Sequence, residues 1–133
     1  MTARSETYEL MAQLGAHGLS MSFEDANTLR RAAITLHGWD EAECGNSDQW
    51  KSWSIERDEE SGIPYMCLYF HDRNGVARRR IPDREAGALR RVAAICGKYG
   101  ARFYHQSDPR GASLYIGAVP LTDTNYSSLG VAV

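Results

Sequence analysis

Apolar positions along the chain recur at helical spacing in three places and alternate with polar ones in several others. Tyr8, Leu10, Met11 and Leu14 form a short amphipathic helix that Gly15 and Gly18 interrupt. A second helix begins at Ser22, where Ser22 and Asp25 make a pair resembling a capping box, and it buries Ala26, Leu29, Ala33 and Leu36 before Gly45 ends it. Arg30 and Arg31 on this helix are adjacent and therefore point in different directions. Residues 50–57 alternate as a strand, with Trp53 and Ile55 on one face, and the acidic stretch 58–62 turns the chain. In the next strand, 64–71, Met66, Leu68 and Phe70 oppose Tyr65, Cys67 and Tyr69; with both faces apolar, it reads as a central strand covered on both sides. Asn74-Gly75 is a hairpin signal leading to a third strand, 76–81.

The clearest helix follows. Pro82 and Asp83 mark its start, with Asp83 as the expected cap, and Leu89, Val92, Cys96 and Tyr99 set its buried stripe with Ala86 and Ala93 beside them. Gly100 ends it. Gly87 weakens the middle of this helix, which makes sense where another backbone passes close by. Two further strands, 101–107 and 112–117, flank Asp108-Pro109-Arg110-Gly111, whose residues suit a type I turn. A bulge at Gly111 shifts the pairing by one and exchanges the faces. The apolar pattern favours Phe103 opposite Ile116 and His105 opposite Leu114, leaving Tyr104, Tyr115, Gln106 and Ser113 outside. After a polar connection, 129–133 offers a last strand. The expected class is α+β: an antiparallel sheet of five to six strands with helices on one face, in the order ααβββαββ(β). Residues 1–21 read as an N-terminal arm with a short helix, and 22–133 as a single domain.

The run IPDREAGALRRVA, with FYHQSDPRGASLYI after it, LRRAAITLHGWDEAECG before it and LGVAV at the end, resembles a family of small, largely uncharacterised proteins of phages and prophages. The likeness covers most of the chain from Leu29 onward. It implies a phage origin and a bacterial cytoplasm, and it carries no activity with it. Separately, the element order from Ser22 to Tyr99 is similar to that of double-stranded-RNA-binding domains. That likeness is one of topology alone, since their glycine–histidine loop and lysine-rich helix start have no counterpart here.

Composition adds one asymmetry. The net charge is −2, but residues 1–72 carry 5 basic and 13 acidic side chains, a balance of −8, whereas residues 73–122 carry 10 basic and 3 acidic, a balance of +7. The two halves either pair with each other or present a charged surface to a partner. No apolar run is long enough for a membrane span, and no signal peptide is expected. Three cysteines without metal-ligand spacing fit reduced thiols in a cytosol.

The strongest functional feature is the arginine cluster Arg73, Arg78, Arg79, Arg80, Arg84, Arg90 and Arg91. Arginine's planar fork suits phosphate and carboxylate, and Tyr104, Tyr115 and Tyr126 offer stacking faces. The same arginines would also serve as a solvated strand edge that resists pairing. Arg110, at a turn tip, is a further candidate contact. His37, Glu41 and Cys44 share one helix face at spacings of four and three, and with His105 or His71 they make a weak candidate metal set. A simple His–Glu contact beside a buried cysteine accounts for them better. No nucleophile elbow, Cys–His pair or glycine-rich nucleotide loop is present, so no catalytic set or cofactor is assigned. The sequence thus points to a non-enzymatic phage accessory protein acting by binding to a host protein or nucleoprotein complex, in the form of an anti-CRISPR-type inhibitor. The alternatives are a nucleic-acid-binding module using the arginines, and a small metal- or nucleotide-binding protein.

Overall fold

The computed structural model describes residues 3–16, 18–36, 49–57, 64–72, 82–107 and 111–117. Among them are α1 (Ala3–Ala16), α2 (Phe23–Leu36), β1 (Gln49–Arg57), β2 (Pro64–Asp72), α3 (Pro82–Tyr99), β3 (Arg102–Ser107) and β4 (Gly111–Gly117). The class is α+β, with an antiparallel sheet ordered β1-β2-β4-β3. The helices stack on one face of it, α1 over β1, α2 over β2 and β4, and α3 over β3. The expected strands at 76–81 and 129–133 and the Asn74-Gly75 turn lie outside the described residues, as does the end of the second helix expected at Gly45.

Register decides which side chains meet the helices. Phe103 pairs with Ile116 and His105 with Leu114, and Met66 and Leu68 of β2 oppose the same two β4 residues, so one face carries the bulky apolar set. Met66, Leu68, Leu114 and Ile116 are fully buried against Leu10, Leu14, Leu29, Ile34 and Leu36 from the helices. Each such side chain contributes about 2 kcal/mol by leaving water. Trp53 packs on this core, whereas Ile55, two residues on along the edge strand, stays 41% exposed. β2 has β1 on one side and β4 on the other, so both its edges are filled. That arrangement is not the three-strand meander of a double-stranded-RNA-binding domain.

Two helices end in the same way. Gly18 and Gly100 adopt positive φ (92° and 66°), which glycine does without a Cβ penalty. At α1, the Leu19 N–H donates to Leu14 C=O (2.8 Å) and Gly18 N–H to Gly15 C=O (3.0 Å). At α3, Ala101 donates to Cys96 (2.8 Å) and Gly100 to Gly97 (3.4 Å). Both are Schellman motifs, each with its two end residues buried together. Gly15 lies within α1, and only Gly18 stops it.

At the start of α3, Pro82 is itself the first helical residue. Asp83 therefore stands in the first turn with Glu85, favoured by the helix dipole, and does not act as the cap. The buried stripe of α3 is Ala88, Val92, Ile95 and Cys96, with Leu89 and Tyr99 packed beside it; Ala86 and Ala93 are exposed. A methyl group fits either side of a helix, so the bulkier Val92 and Ile95 set the rotation. Among the described residues Gly87 has no backbone from another element against it, since a Cβ there would meet only the Arg90 and Arg91 guanidinium groups at 3.8 and 4.0 Å.

α1 is held to α2 by apolar packing and by a buried polar cluster. Arg30 is 3% exposed and lies 3.7 Å from the equally buried Glu6 carboxylate. Its Nε donates to Thr7 Oγ1 (3.1 Å) and its Nη2 to Asn27 Oδ1 (2.8 Å), and the Thr7 hydroxyl donates to the same Asn27 oxygen (3.1 Å). Arg31 is exposed, as adjacency on a helix requires.

A second cluster joins the start of α2 to the end of α3. The Asp25 N–H donates to Ser22 Oγ (3.1 Å), the first half of a capping box. The reciprocal half is supplied from outside the helix, because the Ser22 N–H donates to the Tyr99 hydroxyl (3.1 Å). That hydroxyl donates to Asp25 Oδ2 (2.6 Å), which also accepts from Lys98 Nζ (2.8 Å). Lys98 first, and Tyr99 second, hold the Asp25 carboxyl below its usual range.

Replacing Arg30 or Glu6 by alanine strands a buried charge and should destabilise the fold by about 3–5 kcal/mol. The double change Glu6→Leu/Arg30→Met should cost much less than the sum of Glu6→Leu and Arg30→Met alone, and urea denaturation of these three variants and the parent measures this coupling. Tyr99→Phe removes a hydroxyl bonded on two sides and should cost about 1.5 kcal/mol. Asp25 is ionised at neutral pH, and its folded pKa is the lower one. Its contribution is therefore complete above the usual aspartate range and is lost as pH falls through the folded value, so melting curves from pH 7 to acid should show a smaller acid-side loss for Asp25→Asn than for the parent.

Candidate functional site

Because α3 buries Val92, Ile95 and Cys96 on the sheet, its other side faces outward. That side carries Arg84, Arg90 and Arg91, all exposed, with Ala86, Gly87, Ala93, Ala94 and Gly97 among them. Arg84 and Arg91 are seven residues apart, two helical turns on one line at the flank of that side, and Arg90 stands about 100° round from Arg91, nearer its middle. Among the described residues, the ion pairs involve Arg30, Lys98 and His105; neither Arg84 nor Arg90 has a carboxylate partner, while Arg91 makes a further contact. Lys98, lower on the helix, is engaged by Asp25 of the acidic half. The two halves of the chain thus meet at Lys98–Asp25, and among the described residues no acidic side chain pairs with Arg84 or Arg90.

The tyrosines lie elsewhere. Tyr104 and Tyr115 are a cross-strand pair on the face of the sheet turned away from the helices. Their rings stack at 6.1 Å between centroids with 19° between planes, and Tyr65 meets Tyr115 edge-on at 5.6 Å. Tyr65 is 5% exposed, and its hydroxyl donates to Glu56 Oε2 (3.1 Å). Burial, and then the Glu56 carboxylate, push this phenol far above the ordinary tyrosine range; burial likewise raises Tyr115. Cys67, between these rows, is also buried, and Tyr69 on the same face is half-buried. The structure therefore separates the sequence-derived binding set. Arg84, Arg90 and Arg91 occupy the solvent side of the helical layer, and Tyr104 and Tyr115 the far side of the sheet, so no flat ligand contacts both groups. Arg73, Arg78, Arg79, Arg80 and Arg110 lie outside the described residues.

Of the weak metal candidates, His105 is on the inner face of β3, with Nδ1 3.8 Å from Glu85 Oε1 in the first turn of α3. His37, Glu41 and Cys44 lie outside the described residues, and among the described residues no group of three or more His, Cys, Asp and Glu is placed to hold a metal. No helix among those residues is long and apolar enough to cross a membrane. Sequence pattern indicates neither the Arg30–Glu6 cluster nor the part of the second cluster that lies beyond Ser22 and Asp25. Arg30 was legible in principle, since it falls four residues after Ala26 and three before Ala33 on the buried stripe. The Tyr99 hydroxyl at the Ser22 cap joins residues too distant in the chain for any local pattern to reveal.

Cys67 and Cys96 are free thiols, and burial pushes both up to about 12. They remain protonated at neutral pH and unreactive. With Cys44 replaced by alanine, a thiol reagent at pH 8 should label neither cysteine in the folded protein and both in denaturant, as counted by mass spectrometry. Compared with family models, with curated proteins and with solved structures, the chain finds no match in any of the three.

Proposed function

We propose that the protein acts by binding, as a non-enzymatic phage-encoded accessory protein whose contact surface is the outward side of α3. The observation that carries this reading is the exposure of Arg84 and Arg90 without carboxylate partners among the described residues, beside an exposed Arg91. Were the positive half of the chain merely the counterweight of the negative half, these guanidinium groups would sit on acidic side chains, as Lys98 does on Asp25. Exposed arginines without such partners keep their full capacity for a charged ligand. The sequence resemblance to phage and prophage proteins supports a host-directed role, in the form of counter-defence against a host CRISPR effector complex.

The test is a plating assay in a bacterial host with active CRISPR immunity. Expression of the protein should raise the plating of a targeted phage, and tagged protein should recover effector subunits from the host. Arg84→Glu/Arg90→Glu should abolish both while leaving the melting temperature unchanged, because neither side chain packs in the core. Unchanged plating together with no effector subunit recovered would overturn the reading.

A further inference from the structure

We infer that the outward side of α3 receives the phosphate backbone of a nucleic acid, and that this contact is electrostatic and independent of base sequence. The inference deepens the binding reading and rests on its choice of surface. Three features of that surface favour a polyphosphate over a folded protein partner. First, its cations are all arginine at the relevant end of the helix, and a guanidinium can grip a phosphate through two parallel N–H donors. Second, Arg84 and Arg91 are separated by about 10 Å along the axis at 1.5 Å per residue. A duplex advances about 3.4 Å per nucleotide along each strand, so the pair spans about three nucleotides of backbone.

Third, among the described residues the surface holds no apolar anchor. Between the arginines there are only alanine and glycine, and no leucine, isoleucine or aromatic side chain is exposed there. Protein interfaces concentrate their energy in large side chains seated in dry pockets, and a surface of methyl groups and bare backbone offers none. The same small side chains leave the helix low between its cations, so a rod-shaped polyanion can approach closely. Asp83, exposed at the first turn, subtracts one charge from this end. The contact should therefore involve two or three phosphates, with Arg84 and Arg90 as the principal cations and Arg91 shared with its existing contact.

Fluorescence anisotropy with a labelled 20-mer duplex and a single strand of the same sequence tests this. Binding should be seen at low salt with little dependence on probe sequence. The plot of log affinity against log salt should have a slope of roughly −2 to −3, at about 0.9 per phosphate for a duplex. Arg84→Ala/Arg90→Ala should reduce that slope by about two and abolish most of the binding. Ala94→Glu, which places a negative charge on the same side, should weaken binding, and Tyr104→Ala, on the far face of the sheet, should leave it unchanged. No binding of either probe at about 50 mM salt, or binding that survives the double arginine change, would overturn the inference. Recovery of effector subunits that resists nuclease and is lost in Arg84→Glu/Arg90→Glu would also overturn it while leaving the binding reading intact. Salt-dependent probe binding with no effector recovered would uphold it and remove the counter-defence reading.

Discussion

A helix lying on a sheet can bury only one side of itself, and α3 has already committed its bulky side. Val92, Ile95 and Cys96 have no other place to leave water than against β3 and the neighbouring helix. That single constraint fixes where everything else on α3 points. The arginines face solvent because the valine and isoleucine do not. The Tyr99–Asp25–Ser22 junction then prevents the helix from rolling or sliding, because the hydroxyl bonds α2 through a main-chain N–H and a carboxylate together. Apolar packing sets the rotation, and the polar junction sets the axial position.

The polar clusters differ in what they contribute. The Arg30–Glu6 pair lies too deep for solvent to compensate either partner, so removal of one partner alone is costly even though the pair itself adds little net stability. It makes α1 part of the body of the protein, alongside Leu10 and Leu14 in the common core. Lys98–Asp25 is exposed on the lysine side and acts mainly by keeping Asp25 ionised at the α2 cap. One cluster must be kept or replaced as a whole, and the other trims a joint that apolar contacts have already made.

Local pattern revealed much of this. Alternation in Met66–Leu68 and Leu114–Ile116 located β2 and β4 and their inner face, and the pairing of Phe103 with Ile116 followed from placing apolar residues on one side. Gly100 marked the end of α3 because an L-residue resists its φ. What local pattern left out is what depends on distance along the chain. Nothing near Arg102–Ser107 says that its hairpin docks on β2, so the strand order was open. Ala86 and Ala93 misplaced the edge of a stripe because alanine has no preference to express. For the binding set, composition identified the arginines and tyrosines, but only the layering of helix on sheet shows that they look in opposite directions.

The order β1-β2-β4-β3 has a kinetic corollary. The sheet consists of two hairpins, β1–β2 and β3–β4, each closed by neighbouring chain, and of one seam, β2–β4, that brings together segments lying on either side of the whole of α3. Closing a hairpin sacrifices little chain entropy; closing the seam sacrifices more, and its return comes only when Leu68 and Leu114 meet beneath the helices. Assembly of the two halves is therefore the slow, late event, and until it happens β2 and β4 each expose an unfilled edge.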